Sequence, residues 1–283
     1  MSEALSVKDL YQHLKDYMPE NDARYVLKYR AGIAYSDLIT KADMHVAQDI
    51  ASKIDEDIRQ IQSGKPLSKI YGEREFWGLP FDVTEDTLDP RPDTETLIEA
   101  VLKKVDHDRP VSILDMGTGT GCILVSLLHE LPKATGVGID ISESALKTAE
   151  QNAKKNDVDS RCMFTRSEWG ADVNQSFDIV VSNPPYICSD VIPELQDSVK
   201  NYDPILALDG GNDGLQAYKI IFSQLSGLLK PQGKAFFEIG YDQSETVARL
   251  SRESRFSVVE SYADFAGHIR VLEVSPNDRS GDK

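Results

Sequence analysis

The chain has 283 residues, 40% hydrophobic and 28% charged, a composition typical of a folded protein with room for one large domain and a small one. A formal net charge of −16 argues against a protein that holds nucleic acid through its phosphates. The three cysteines form no C-x-x-C pair and the five histidines have no ligand spacing, so neither a disulfide framework nor a metal site is expected. Because no apolar run approaches the roughly 18 residues of a membrane span and the first residues lack a signal-peptide pattern, we expect a cytoplasmic protein.

Residues 1–66 are predicted to form a small helical bundle. Two segments place apolar residues at helical spacing, and Gly64 and Pro66 end the second segment. The apolar positions are Val7, Leu10, Tyr11, Leu14 and Met18 in the first segment, and Val46, Ile50, Ile54, Ile58 and Ile61 in the second.

Residues 67–92 are predicted to be a strand-rich linker. Short strands are expected around Ile70, Phe76 and residues 81–83. In the following segment, "DPRPDTE", prolines on both sides of Arg91 stiffen the chain, and Asp93 or Thr94 is predicted to cap a helix through Val105.

Residues 93–283 are predicted to form an α/β domain. From Val111 onward, strand-like and helix-like segments alternate, which indicates a parallel sheet with helices on both faces. Seven strands are expected, the last two as a hairpin: "VSILDM", "TGVGID", "RCMFT", "FDIVVS", "KAFFEIG", "FSVVESY" and "RVLEV". Helices are expected through Leu128, from Ser142 to Lys155, near "DVIPELQDSVK", through Leu229 and from Gln243. The tail from Pro276 is predicted to be disordered.

A glycine-rich loop, "LDMGTGTG", follows the first strand of this domain. Glycines at 117, 119 and 121 allow a tight turn and a close backbone approach to a ligand, although a plain tight turn would use them equally well. Cys122 stands where a dinucleotide fingerprint would have its third glycine, and the Gly-Lys-Ser/Thr of a phosphate loop is missing.

An acidic residue, Asp140, ends the second strand about 25 residues after Asp115. A carboxylate there can accept both ribose hydroxyls of an adenosine, and the alternative is a helix N-cap beside Ser142. An acid before the glycines, an acid on the second strand and the lack of a phosphate-binding group together favour S-adenosylmethionine over NAD.

The segment "SNPPYI" follows the fourth strand, and its two prolines make it a rigid loop that cannot continue a sheet. With the glycine loop, it resembles the class I S-adenosylmethionine-dependent methyltransferases, which have a Rossmann-like fold, and within them the enzymes that methylate planar nitrogens. The resemblance implies that Asn183 and the Pro184 carbonyl accept the two N–H groups of a weakly nucleophilic amide or amino group, while Tyr186 packs against it.

Further motifs narrow the family. The segments "YGEREFWGLPFDVTEDTLDPRPDTETLIE", "ILDMGTGTG", "SNPPYI", "ALDGGNDGLQAY" and "ADFAGHIRVLEV" resemble, in that order, the bacterial release factor glutamine methyltransferases, over Leu67 to Val274. The resemblance implies methylation of N5 of the glutamine in the Gly-Gly-Gln motif of peptide-chain release factors, with S-adenosyl-L-homocysteine as the second product. It also implies that the helical segment helps to dock the release factor.

The resemblance assigns site residues by position. The cofactor site would contain Asp115, Gly117, Thr118, Gly119, Thr120, Gly121, Asp140, Trp169 and Asn183, with Asp140 at the ribose and Trp169 near the adenine. The glutamine site would contain Arg91, Pro92, Asn183, Pro184, Pro185 and Tyr186. Trp169 could instead be a core or rim aromatic, and Arg91 could instead pair with Asp93 or Glu95.

Two positions depart from the family pattern, which usually has an apolar residue at Asp89 and a polar or acidic one at Ile269. No role is assigned to Glu238, at the end of "KAFFE". The alternatives are methylation of a ribosomal-protein glutamine, methylation of adenine N6 or guanine N2 in nucleic acid, and a module that has lost turnover. A monomer that binds no nucleic acid directly and no membrane is expected.

Overall fold

The computed structural model describes residues 5–277, which divide into two compact units, one ending at Gly72 and one beginning at Glu73. The boundary therefore falls inside the segment predicted as a linker. Of the predicted disordered tail, residues 278–283 lie outside the described range, and Pro276 is the last residue of a strand. Among the described residues, no helix combines the length and apolar character needed to cross a membrane.

The first unit is helical, as predicted. Its helices are α1 (Val7–Lys15), α2 (Glu20–Ala31), α3 (Asp37–Thr40), α4 (Gln48–Gln62) and α5 (Leu67–Tyr71). The predicted apolar stripes meet in one core, where Leu10, Leu14 and Ile54 are almost completely buried. The burial of such stripes, more than intrinsic helix propensity, stabilises helices of this length.

The strand predicted around Ile70 is wrong, because this residue lies in α5. Pro66 precedes the helix with extended backbone, and Gly72 ends it in the left-handed conformation at φ +71°. Ile70 packs against the helical core, so tertiary contacts select the helix in a short apolar segment that fits either structure.

A buried polar network links α2, α4 and α5. The carboxylate of Asp57, with a side chain only 1% exposed, accepts hydrogen bonds from Arg30 Nε at 2.6 Å and from a terminal guanidinium nitrogen at 2.7 Å. Tyr71 donates its hydroxyl to the same carboxylate at 2.7 Å. Burial and the charge of Asp57 raise the pKa of Tyr71, which therefore stays a hydrogen-bond donor.

The second unit begins with an antiparallel hairpin, β1 (Glu73–Phe76) and β2 (Leu79–Asp82). A short 3₁₀ turn, Pro92–Thr94, leads into α6 (Glu95–Leu102). Thr94 occupies the N-cap position of this helix, as one of the two predicted positions, but its side chain makes no capping hydrogen bond. Its hydroxyl has another partner, described below.

The sheet has seven strands. The remaining elements are β3 (Ser112–Met116), α7 (Cys122–Glu130), β4 (Thr135–Asp140), α8 (Glu143–Lys155), β5 (Cys162–Arg166), β6 (Phe177–Ser182), α9 (Asp197–Lys200), α10 (Gln216–Leu228), β7 (Leu229–Glu238), α11 (Ser244–Glu253), β8 (Phe256–Ala263) and β9 (Ile269–Pro276). The strand order is β5-β4-β3-β6-β7-β9-β8, parallel except for β9, which runs antiparallel to both of its neighbours. The order reverses between β3 and β6, the position at which open α/β sheets bind ligands.

Apolar cores cover both faces of the sheet. One contains residues of α6, α7 and α8, such as Ile98 and Leu124, and the other contains residues of α10 and α11, such as Phe222 and Val247. The Rossmann-like α/β architecture with an N-terminal helical segment is thus as predicted.

The helix predicted near "DVIPELQDSVK" is replaced by a 3₁₀ turn, Ile192–Glu194, and the four-residue α9. Leu195 and Gln196 between them have extended ψ values of 157° and 143°. Pro193 has no backbone N–H to donate, so a continuous helix through this segment would lack a hydrogen bond.

Candidate active site

The glycine loop connects β3 to α7. Gly117, Gly119 and Gly121 have φ values of +74°, +54° and +79°, a left-handed region that favours glycine. The backbone N–H groups of Gly117 and Thr118 each donate to the carbonyl of Ile139 at 2.9 Å, which holds the loop against the end of β4. A Cβ atom on Gly121 would lie 3.0 Å from Cβ of Ala149, so this glycine also permits the close packing of α8.

Asp140, at the end of β4, holds the glycine loop. Its Oδ2 accepts the backbone N–H of Gly119 and its Oδ1 accepts that of Ser142, both at 2.9 Å. The alternative prediction, Asp140 as the N-cap of α8, is wrong, because the N-cap is Ser142, whose hydroxyl accepts the N–H of Ala145. Since each carboxylate oxygen carries two lone pairs, Asp140 retains acceptor capacity toward a ligand.

A cavity of about 470 Å³ opens beside this loop, at the carboxyl ends of β3, β4 and β6. Its walls include Gly117, Gly119, Asp140, Trp169 and Asn183, which the sequence analysis assigned to the cofactor. The indole of Trp169 lies over the loop, 3.6 Å from the position of a Cβ on Gly117. Asp115, Thr118, Thr120 and Gly121 do not line the cavity; their assignment to the cofactor stays a prediction.

The charged residues that line this cavity are all acidic. Four acidic residues, Asp86, Asp140, Glu168 and Asp209, are among the described residues that line it, and none of the lining residues is a lysine, arginine or histidine. Such walls suit a ligand with positive charge and no phosphate groups.

A second cavity of about 360 Å³ lies on the other side of Asn183. Arg91, Pro92 and Tyr186, which the resemblance assigned to the glutamine, line it. Asn183 lines both cavities and therefore stands at their junction. Pro185 faces the first cavity, whereas Pro184 is buried and lines neither.

The Asn183 side chain is held by Thr94. Its Nδ2 donates to the hydroxyl oxygen of Thr94 at 3.2 Å, across 89 positions of sequence. The preceding residue, Ser182, donates its hydroxyl to the carbonyl of Met116 at 2.6 Å, which ties the end of β6 to β3. This hydrogen bond could not be predicted from the sequence, in which Thr94 was a candidate only for a helix cap.

Leu208 and the following "DGGNDG" segment form hydrogen bonds with the proline loop. The N–H of Ile187 donates to the Leu208 carbonyl at 3.0 Å, and that of Gly210 donates to the Ile187 carbonyl at 2.8 Å. A Cβ atom on Gly210 would lie 2.9 Å from the Pro185 oxygen and from the Cα of Tyr186. This close packing explains the glycine, which the sequence analysis treated only as part of a loop.

The alternative prediction, that Arg91 forms an ion pair with Asp93 or Glu95, is wrong. Arg91 pairs with Asp203 at 2.6 Å, and the carboxylate of Asp203 is almost completely buried. The same carboxylate accepts the backbone N–H of Asp89, which is itself buried. The departure at Asp89 therefore shares Asp203 with Arg91, which lines the second cavity, whereas Ile269 lies on β9 opposite Ala263.

Two carboxyl groups are buried near the cavities. The side chain of Asp115 accepts the Thr118 hydroxyl at 2.6 Å, and burial raises the pKa of Asp115 to about 7. Burial also raises the pKa of Glu238, in the wall of the second cavity, to about 7, while Thr94 and the charge of Arg270 oppose the rise. Glu238 is a site residue to which the sequence analysis assigned no role.

The buried carboxyl of Asp115 has a consequence for stability. Because its folded pKa is raised above the unfolded value of about 3.9, folding favours the protonated form, and this contribution is lost as pH rises through about 7. We expect the free energy of unfolding to fall between pH 5 and pH 8, and to fall less in Asp115→Asn. Denaturant titrations at a series of pH values measure this, with the 94%-exposed Asp108→Asn as control. Parallel pH dependences in the wild-type protein and Asp115→Asn would contradict it.

The fold agrees with the comparisons with known proteins. A family model described as a methyltransferase domain matches residues 107–269. The crystal structure of the ribosomal protein L11 methylase from Lactobacillus delbrueckii subsp. bulgaricus shares the fold, with a TM-score of 0.52 and 20% identity over 68% of this chain and 82% of that chain. The second unit is thus a methyltransferase domain.

Two curated relatives are similar over most of their length. The release factor glutamine methyltransferase of Agrobacterium fabrum is 40% identical over 258 residues, which are 90% of this chain and 89% of the relative. That of Bradyrhizobium diazoefficiens is 42% identical over 257 residues, 89% of this chain and 86% of the relative. The chain belongs to the release factor glutamine methyltransferase family, as its motifs predicted.

Among the described residues, no group of three or more His, Cys, Asp or Glu side chains is arranged to hold a metal ion.

Proposed function

We propose that this protein transfers a methyl group from S-adenosyl-L-methionine to N5 of the glutamine in the Gly-Gly-Gln motif of peptide-chain release factors. The observation that carries the proposal is the position of Asn183 at the junction of two cavities, in a chain of this family. The larger cavity would hold the cofactor, and the smaller one would hold the glutamine side chain.

The residues of the larger cavity fit S-adenosylmethionine. Its acidic walls without a basic residue favour a sulfonium cation and provide nothing for a phosphate. Gly117 and Gly119 allow the cofactor to approach the backbone, the carboxylate of Asp140 would accept the ribose hydroxyls, and Trp169 would contact the adenine. When bound, the cofactor supplies an electrophilic methyl group on its sulfonium sulfur.

In the smaller cavity, the protein would orient a poor nucleophile. An amide nitrogen shares its lone pair with its carbonyl, so it attacks only when its hydrogens are held away from the methyl group. Asn183 Oδ1 would accept one N–H and the Pro184 carbonyl the other, while Tyr186 would pack against the flat amide. Burial raises the pKa of Tyr186, which keeps its ring neutral. Most of the rate enhancement would then come from positioning.

The balance of the step is simple. With the methyl group that the bound cofactor would supply, the new N–C bond would form as the C–S bond breaks and leaves a neutral thioether, and the methylated amide nitrogen, held by Asn183 and the Pro184 carbonyl, would lose one proton to water. No strong base is required, because the nitrogen becomes acidic as the new bond forms.

Asp140→Ala is expected to weaken cofactor binding on the order of 10- to 100-fold, because the ribose hydroxyls lose a charged acceptor and Gly119 loses its anchor. Calorimetry with S-adenosylhomocysteine measures this. The control is Glu143→Ala, which removes the same charge three residues away from a side chain that is 69% exposed. Its affinity for S-adenosylhomocysteine should equal that of the wild-type protein. Unchanged affinity in Asp140→Ala would remove the ribose assignment.

The proposal also covers the binding partner of the enzyme and its location in the cell. The helical unit, with exposed Tyr17, Tyr29, Tyr35 and Ile39, would help to dock the release factor. The enzyme would act as a monomer in the cytoplasm, where release factors work, without contacting nucleic acid directly.

The decisive experiment uses purified release factor and labelled S-adenosylmethionine. The native Gly-Gly-Gln tip is compared with a version whose glutamine is replaced, and labelled peptides are identified by mass analysis. Label on the native tip alone is expected. No label on either protein, despite measured cofactor binding, would overturn the proposed substrate and direct the assay to ribosomal proteins and then to nucleic acids.

A further inference from the structure

Glu238 is a buried carboxyl group beside the proposed catalytic amide. It ends β7, which pairs in parallel with β6 through Ser182 and Phe237, so Glu238 lies next to Asn183 across the sheet. The residue is 2% exposed, and its Oε2 has no hydrogen-bond partner among residues 5–277. A buried carboxylate oxygen without a partner is costly, and the reaction as described so far does not use it.

Asn183 can accept an N–H of the glutamine only if its side-chain amide oxygen, and not its nitrogen, faces the substrate. Its oxygen and nitrogen have nearly the same shape, and rotation by 180° would exchange acceptor for donor. With Nδ2 bonded to the Thr94 oxygen, the hydroxyl proton of Thr94 must go to another acceptor. The buried carboxyl of Glu238, next to Asn183 across the sheet, is placed to be that acceptor, and Thr94 and Asn183 both lower its pKa.

We propose that Glu238 and Thr94 are positioning residues that fix the Asn183 amide with its oxygen toward the substrate. An ionised carboxylate only accepts hydrogen bonds, so the flipped amide would place its oxygen against Thr94 and the carboxylate. The negative charge also polarises the amide and makes its oxygen a stronger acceptor for the glutamine N–H. This inference rests on the proposed function of Asn183 and specifies how the protein sets it.

The inference includes a dependence on pH. The groups that face Glu238 are Asp93 and Arg270, and its charge also acts on Tyr186, Tyr218 and Cys122. With a pKa of about 7, Glu238 is protonated in more acidic solution, where it becomes a donor and stabilises the flipped amide. Turnover should therefore rise as pH increases through about 7.

The kinetic test uses paired variants. Thr94→Val and Glu238→Gln should each lower kcat about ten-fold at pH 8, the size of one charge-assisted hydrogen bond, with affinity for S-adenosylhomocysteine within two-fold of wild type. Thr94→Ser retains the hydroxyl and should recover most of the rate. The rise of kcat through pH 7 should vanish in Glu238→Gln and persist in the control Glu245→Gln, at an exposed acid. A wild-type pH profile in Glu238→Gln, or full turnover in Thr94→Val, would overturn the inference.

A second measurement needs neither cofactor nor substrate. The side-chain amide of Asn183, observed by nuclear magnetic resonance after asparagine labelling and assigned with Asn183→Ala, should titrate near pH 7 and lose this titration in Glu238→Gln. If the signal titrates but the release factor is not methylated, the proposed function fails and the positioning of the amide stands. If the release factor is methylated but the signal does not titrate, the inference fails alone.

Discussion

Asn183→Ala should lower the turnover of release factor by on the order of 10² to 10³, with a much smaller change in cofactor affinity. The variant removes the acceptor that would orient the glutamine amide, and among residues 5–277 no other side-chain amide lines both cavities. Single-turnover methylation of the Gly-Gly-Gln tip, combined with calorimetry for cofactor binding, measures the two effects separately.

The matched control is Asn174→Ala, which removes the same side chain from an exposed segment, where its amide donates to the carbonyl of Asp172. It should keep wild-type kinetics. Methylation by Asn183→Ala at an undiminished rate would refute the proposed chemistry, whatever the effect on substrate binding.

Asp57→Ala should destabilise the helical unit by about 3–5 kcal/mol, because it leaves the mostly buried Arg30 guanidinium and the Tyr71 hydroxyl without their common acceptor. The methyltransferase unit should keep its cofactor affinity. Hydrogen exchange followed by mass spectrometry is expected to show faster exchange in α2 and α4 and unchanged exchange in β3 and β6.

Asp55→Ala is the matched control, since it removes from the same helix a carboxylate whose side chain is 63% exposed and lies 3.8 Å from His13 Nε2. Surface pairs of this kind contribute little. If the helical unit helps to dock the release factor, Asp57→Ala should also raise KM for the intact release factor more than for a short peptide containing the glutamine. Equal stability of the two variants would contradict the importance of the buried network.

Local patterns predicted the elements of the second unit well. The strand that ends in "LDM" and the one that ends in "VVS" are short runs of apolar residues closed by glycine or proline, and both signals act within a few positions. The pattern failed at Ile70, because a short apolar segment fits a helix or a strand, and at Pro193, because the proline has no backbone N–H to donate within a continuous helix. Contacts with the rest of the unit then decided the conformation.

Some residues of the candidate site could likewise be predicted from local sequence, and others could not. Gly117, Gly119, Asp140 and Asn183 were found because their chemical roles follow from residue type and position after a strand. Thr94 and Glu238 were not predicted as site residues because neither belongs to a motif, and only the folded structure brings them next to Asn183. Arg91 was found, but its partner, Asp203, lies 112 positions away.

The amino-acid sequence by itself determined the alternation of strands and helices, the glycine and proline loops at strand ends, and the motifs from which the family was predicted. Those features depend on backbone sterics and on apolar periodicity, which act between near neighbours in the chain. The tertiary structure alone decided which side chains meet: that two cavities share Asn183, that Thr94 holds its amide, and that a buried carboxyl with a pKa near 7 stands behind it. Strand order and burial set these contacts, because they bring together residues separated by many positions and remove water from between them.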